Sequence, residues 1–251
     1  MSSRMTHRAS IPASPDGERT PSVRMTDAAT TCLAALVGSL ADNKAALGRR
    51  YGEWAVSAPT LESAVAGAAM AQDELGHARS TFPLLKQLGS EQEHEGDRHL
   101  ALLDAELPDW TSFVAANLLV DGILTTFVAA CRQSSFEPLG ARARKILQEE
   151  GSHRVHAEAW GKRLWRGPHR EALVQRMAAT WDEAARWPGP DDDAGFAAAR
   201  DAGLIAEGPA AQRDRVRAWA VALAASVGVE LELPEPTDWS RWDATRRRLT
   251  T

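Results

Sequence analysis

Two short runs hold the residue types with the most chemistry, Gln72-Asp73-Glu74-Leu75-Gly76-His77 and Gln148-Glu149-Glu150-Gly151-Ser152-His153. Each contains a glutamate and a histidine three residues apart. On an α-helix that spacing sets both side chains on one face, a turn apart. Two such pairs facing each other across a helical bundle supply four ligands to a pair of metal ions. Mixed carboxylate and imidazole donors suit iron or manganese, and a centre of that kind reduces dioxygen and hands an oxygen atom to a substrate in an apolar pocket. A single Glu-x-x-His pair says little, because surface ion pairs share its spacing. Two, each on an apolar-periodic helix, are a stronger signal.

The elements that position these residues follow from apolar periodicity. A first helix is expected from about Asp27, as N-cap, to about Val56, where Ser57-Ala58-Pro59-Thr60 breaks it. Its stripe, Leu33, Val37, Leu40, Lys44, Leu47, Tyr51 and Trp54, puts Lys44 on the buried face. The second helix runs from Thr60 to about Leu88 and turns Met70, Glu74, His77 and Leu84 inward, with Asp73 off that face. Folding back about Pro59 makes Lys44 a neighbour of Glu74. Residues 90 to 108 are charged and read as a solvent-exposed connection or short helix, with His94 and His99 solvated rather than ligating. A third helix opens at Pro108-Asp109-Trp110-Thr111 and runs to about Arg132. Its stripe of Val114, Leu118, Leu124 and Val128 is interrupted by Asp121, a buried carboxylate that needs a partner. The fourth, beginning after Gly140 and running to about Trp165, carries Ile146, Glu150, His153, Ala157, Trp160 and Leu164 on one face, flanked by Glu149 and His156. Helices from about Glu171 to Ala185 and Ala211 to Val227 follow. Between them Pro188-Gly189-Pro190-Asp191-Asp192-Asp193 reads as a loop with solvated acids, and no strand is expected.

Four helices with apolar interiors, broken only by Glu74, His77, Asp121, Glu150 and His153, predict an all-α fold: a ferritin-like four-helix bundle with additional C-terminal helices. Bare charges there would cost several kcal/mol each, about what a bound pair of dications offsets. Glu74 or Glu150 would bridge the metals, His77 and His153 would cap them, and Asp121 would be a terminal ligand.

The chain has 251 residues, 44% of them hydrophobic, and a net charge of −5. With both signs interspersed, no nucleic-acid groove or polybasic membrane patch is expected. The absence of a long apolar run and of an h-region argues against a membrane span and a secretory signal. Cys32 and Cys131 sit in apolar patterns and read as small buried hydrophobes in a reducing, cytoplasmic compartment. Residues 1–25, rich in Ser, Pro, Arg and Thr, read as a disordered leader before one helical domain over 26–251. With no Rossmann glycine fingerprint, P-loop or cluster-type cysteines, electrons would come from a separate reductase.

Several segments carry a resemblance: Leu40-Ala41-Asp42-Asn43, Leu47-Gly48-Arg49-Arg50, Gly52-Glu53-Trp54, Ala58-Pro59-Thr60-Leu61-Glu62, the Gln72 to Arg79 run, Leu119-Val120-Asp121-Gly122, Glu149-Glu150 with His153, and the pattern from Gly203 to Pro234. They resemble the PaaA/PaaC family, the ferritin-like subunits of the bacterial phenylacetyl-CoA epoxidase. The resemblance implies either a di-iron oxygenase subunit or a same-fold partner that has lost its metal. Glu74, His77, Asp121, Glu150 and His153 match metal positions of the active type. The helix-one glutamate expected there falls on Lys44, and the Asp-Asn-x-x-x-Leu-Gly-x-Arg context looks like the partner type. Lys44 then has three readings: an ammonium replaces the metals; it turns aside or is carbamylated while metal binds the other five; or the register slips and Asp42 or Glu53 faces the site. The leading expectation is a di-iron, or manganese, oxygenase component oxidising an aromatic or acyl-CoA substrate, as a homodimer or a heterodimer with a related ferritin-like subunit. The alternative is a metal-free structural partner with Lys44 in the metals' place.

Overall fold

The computed structural model describes residues 26–92 and 95–250. The expected leader over 1–25 lies outside them, as does His94. Helix α1, Asp27–Trp54, starts where Thr26 rather than Asp27 caps it, the Thr26 hydroxyl accepting the Ala29 N–H at 3.2 Å. Thr60 caps α2, Leu61–Gln87, in the same way through Ser63 N–H. The two form an antiparallel hairpin about the Pro59 turn. Every residue of α1 from Leu36 to Gly48 is buried, because the face opposite the bundle is covered as well.

That cover corrects the expectation for residues 90 to 108. The connection is folded onto α1 rather than solvated, with Leu100, Leu103 and Leu107 buried and a 3-10 turn at Ala101–Leu103. The Asp42 carboxylate accepts the backbone N–H groups of Gly96 (2.9 Å) and Arg98 (3.1 Å), and Asn43 accepts that of Leu100 (3.0 Å). Side chains of α1 thus satisfy backbone that has no ladder of its own.

Helix α3, Trp110–Ala130, is long and apolar enough to cross a membrane by length and composition, with a mean hydropathy of 1.8, yet it lies 78% buried as a core helix. Its middle, Ala116–Val120, is a π turn. Helix α4, Glu137–Arg166, completes the bundle. Its start precedes the expected Gly140 because Pro138 occupies the first turn, where a missing N–H costs nothing. Helices α5, Arg170–Ala184, and α7, Pro209–Ala225, pack against α3 and α4.

Between them lies an unanticipated helix α6, Ala194–Asp201, capped by Asp193 through the N–H groups of Gly195 (2.9 Å) and Phe196 (3.0 Å). The acidic triplet is therefore not simply solvated: Asp193 is a cap and Asp191 pairs with Arg213 at 2.7 Å. The expectation of no strand is also corrected. Residues Trp242–Asp243 (β1) and Arg248–Leu249 (β2) form a two-residue antiparallel ladder, too short to show a period in sequence. Arg247 in its turn has φ 54°. Its buried guanidinium pins the hairpin by donating to the carbonyls of Trp187 (3.0 Å) and Pro188.

Candidate functional site

Each bundle helix sends one charged side chain to the same depth: Lys44 from α1, Glu74 from α2, Asp121 from α3 and Glu150 from α4. Lys44 Nζ donates to Glu74 Oε1 at 2.9 Å, Asp121 Oδ1 at 2.8 Å and Glu150 Oε1 at 2.6 Å. An ammonium has three protons, and each has an acceptor. All four residues are at most 4% exposed. Burial by itself would push the lysine towards neutrality, but Asp121, Glu150 and Glu74 outweigh it and hold its pKa well above the ordinary value. The acids are not equivalent. Burial raises the Glu74 pKa, the charges of Asp121 and Glu150 adding to it against Lys44. Burial would raise Asp121 too, but Lys44 and His153 keep it well below the usual carboxylate range.

The histidines are tied crosswise. His77 Nε2, on α2, lies 2.7 Å from Glu149 Oε2 on α4, and His153 Nε2, on α4, lies 3.3 Å from Asp73 Oδ2 on α2. Each inward nitrogen meets the cluster: His77 Nδ1 is 3.3 Å from Glu150 Oε1, and His153 Nδ1 is 3.1 Å from Asp121 Oδ2. Carboxylate oxygens near both nitrogens favour the imidazolium. Burial opposes that form in both rings. The carboxylates of Glu150 and Glu74 nonetheless lift His77 to about 9, and Asp121 and Glu74 lift His153 to about 11. Lys44 and the two imidazoles thus set three cation-favouring groups among the central carboxylates.

All five expected donors converge here, and so does Lys44. Asp73 and Glu149 join them, the first against expectation. The available signal was that each is an acid directly preceding a cluster glutamate, one residue off the buried face but towards the facing helix. Asn117 was not singled out either. Seated in the π turn, it donates to Asp121 Oδ2 at 3.3 Å and places its Oδ1 3.3 Å from His156 Nδ1. π turns are frequent at functional sites and rarely visible in sequence. His156 stays outside the cluster, edge-on to Trp110 and Phe113. Burial, helped by the charge of His153, pushes its pKa down to about 4. His99, in the connection, pairs with Asp104 at 2.8 Å. The register alternatives fall away, since Asp42 holds the connection and Glu53 bonds Arg50 at 2.7 Å.

Could this donor set hold a metal? One ligand atom each from Glu74, Asp121, Glu150 and His153 lies within 4.8 Å of the others, a grouping that could hold an ion. Glu74 Oε2 and His77 Nδ1 are buried without hydrogen bonds. With Lys44 in place, however, a dinuclear centre does not fit. The ammonium takes one oxygen of each of three acids and sits where a cation would, and its charge repels one strongly in so dry a setting. The space beside the cluster is small. A cavity of about 100 Å³ touches Asp121, Glu150 and His153, and another of about 180 Å³ touches Asp73, His77 and Glu149. Ligand pockets usually span about 300–1,000 Å³.

An all-α, ferritin-like bundle with a carboxylate and imidazole cluster at mid-height is a class of protein built around a central polar site. Within that class, the chain belongs to the phenylacetic acid catabolic protein family, whose profile matches residues 5–250. That membership ties it to phenylacetate breakdown. No curated protein matches the chain.

Proposed function

We propose that this chain is a metal-independent structural subunit that pairs with a ferritin-like oxygenase chain acting on an aromatic acyl-CoA. The observation that carries this reading is Lys44 Nζ donating to Glu74, Asp121 and Glu150 at 2.6–2.9 Å. Its charge meets the carboxylates that metal ions would otherwise neutralise, and its raised pKa keeps it from becoming a neutral ligand. The small flanking cavities favour the same reading, since a substrate ring has little room beside the cluster. A cytoplasmic setting accompanies it, in keeping with the free cysteines Cys32 and Cys131.

The oxygenase component that the sequence favoured remains the second reading, supported by the clustered donors. There Glu74, His77, Asp121, Glu150 and His153 would hold iron or manganese once Lys44 swung away, and a separate reductase would supply electrons. Metal analysis of protein expressed with added iron and manganese decides between them. Substoichiometric metal, unchanged in Glu74→Ala, is expected. Stoichiometric metal that Glu74→Ala abolishes establishes the oxygenase instead. Co-expression with a related ferritin-like chain that carries a helix-one glutamate is expected to yield a stable heterodimer.

A further inference from the structure

A cavity of about 780 Å³ opens where the start of α3, the last turns of α4 and the start of α5 meet. It is separate from the Lys44 cluster, because Trp160 on its wall lies about 10 Å along α4 beyond His153. The wall is aromatic. The rings of Trp110 and Trp160 meet edge to face at 5.1 Å, and Phe113 stacks behind Trp110 at 4.3 Å. The rim is cationic. Arg163 lies 4.7 Å over the Trp160 ring, Arg166 stands beside it, and neither makes an ion pair among the described residues.

One further feature favours an anion. His169, the N-cap of α5, makes no side-chain capping bond, and both it and Ala172 of the first turn line the cavity. The acid on this wall, Asp109, is already committed: Oδ1 accepts from Ser112 N–H and the hydroxyls of Thr111 and Ser112, and Oδ2 pairs with Arg176 at 3.0 Å.

We propose that this cavity binds a nucleoside phosphate. The base lies against the Trp110 and Trp160 wall, and the phosphates are met by Arg163, Arg166 and the first turn of α5. The volume suits such a ligand better than a single ring. Guanidinium groups match phosphate geometry, and every base offers a face to aromatic side chains. The proposal stands apart from the reading of the Lys44 cluster, and loss of one leaves the other intact.

Calorimetric titration of the full chain with ADP, adenosine, inorganic phosphate and benzoate in separate arms tests it. ADP is expected to bind saturably with a Kd of about 1–100 μM. Adenosine and phosphate should each bind at least about tenfold more weakly, because each keeps only half of the contacts. The double variant Arg163→Gln/Arg166→Gln should lose at least about tenfold in ADP affinity, and its binding should become less sensitive to salt. It should remain folded, with a melting temperature only slightly lowered by loss of the Arg163 contact to Trp160, both side chains being exposed. No saturable ADP binding at millimolar concentration overturns the proposal, as does a double variant that binds like the parent. Benzoate binding as tightly as ADP overturns the nucleotide assignment in favour of a small aromatic acid.

Discussion

The molecule buries cations in two regions, and it answers them differently. In the bundle, Lys44 is met by three side-chain carboxylates from three helices. In the C-terminal segment, Arg247 is met by the backbone carbonyls of Trp187 and Pro188, and Arg213 by the Gly189 carbonyl (2.8 Å) together with Asp191 and Glu235, both partly exposed. Burial lowers the Arg247 pKa, whereas that of Lys44 is raised. Helices consume their own backbone acceptors, so a cation among them has only side chains to turn to. Irregular segments leave carbonyls free, and a guanidinium can gather them. The first arrangement is a matched charge cluster; the second stitches loops together.

The comparison breaks most visibly at Lys44. Removing it in Lys44→Ala leaves three buried acids without their cation and is expected to cost about 3–5 kcal/mol in urea unfolding at pH 7. Manganese(II) should restore part of that loss in Lys44→Ala, and more in Lys44→Glu, while leaving the parent unmoved; absence of any metal response in both variants would show that the five donors cannot form a site. Next in size is Arg247→Met, expected to cost about 1–3 kcal/mol by freeing the carbonyls of Trp187 and Pro188. It should show no metal response and should speed proteolysis around residues 240–250.

The third effect is a pH slope. His77, raised from 6.5 to about 9, and His153, raised to about 11, bind protons more tightly folded than unfolded. Their stabilisation is complete below about pH 6.5 and is lost as pH rises through those folded values. Melting temperature should therefore fall between pH 6.5 and 9, and His77→Gln should flatten that stretch of the curve. The smallest effects are expected at the crosswise acids. Asp73→Asn and Glu149→Gln should change stability by less than about 1 kcal/mol, since both acids are partly solvated. NMR titration should nonetheless find the pKa of the facing histidine lowered.

The four bundle helices, the convergence of five donors and the misplaced lysine in the α1 stripe were all legible in sequence, because a period of 3.6 maps directly onto depth in a bundle. Asp73 escaped because one residue along a helix turns a side chain about 100°, and only the closeness of α4 brings it back to His153. The role of Asp42 was hidden because its partners are backbone N–H groups of a connection that has no periodicity to betray its folding. Helix α6 and the terminal ladder are too short for a pattern. The Asp193 cap preceding Ala194-Gly195-Phe196 was the one local cue, hidden inside an acidic run.

Helix α3 has an implication for how the chain is made. It leaves the ribosome before α4, α5 and α7, the elements that enclose it, and offers almost no surface that water tolerates. Once it has cleared the exit tunnel and until those elements follow, it exposes a greasy rod of membrane-spanning length, vulnerable to chaperone capture, clumping or misdirected insertion. Translation speed through the segment after Ala130 thus bears directly on how much of this protein reaches its native state.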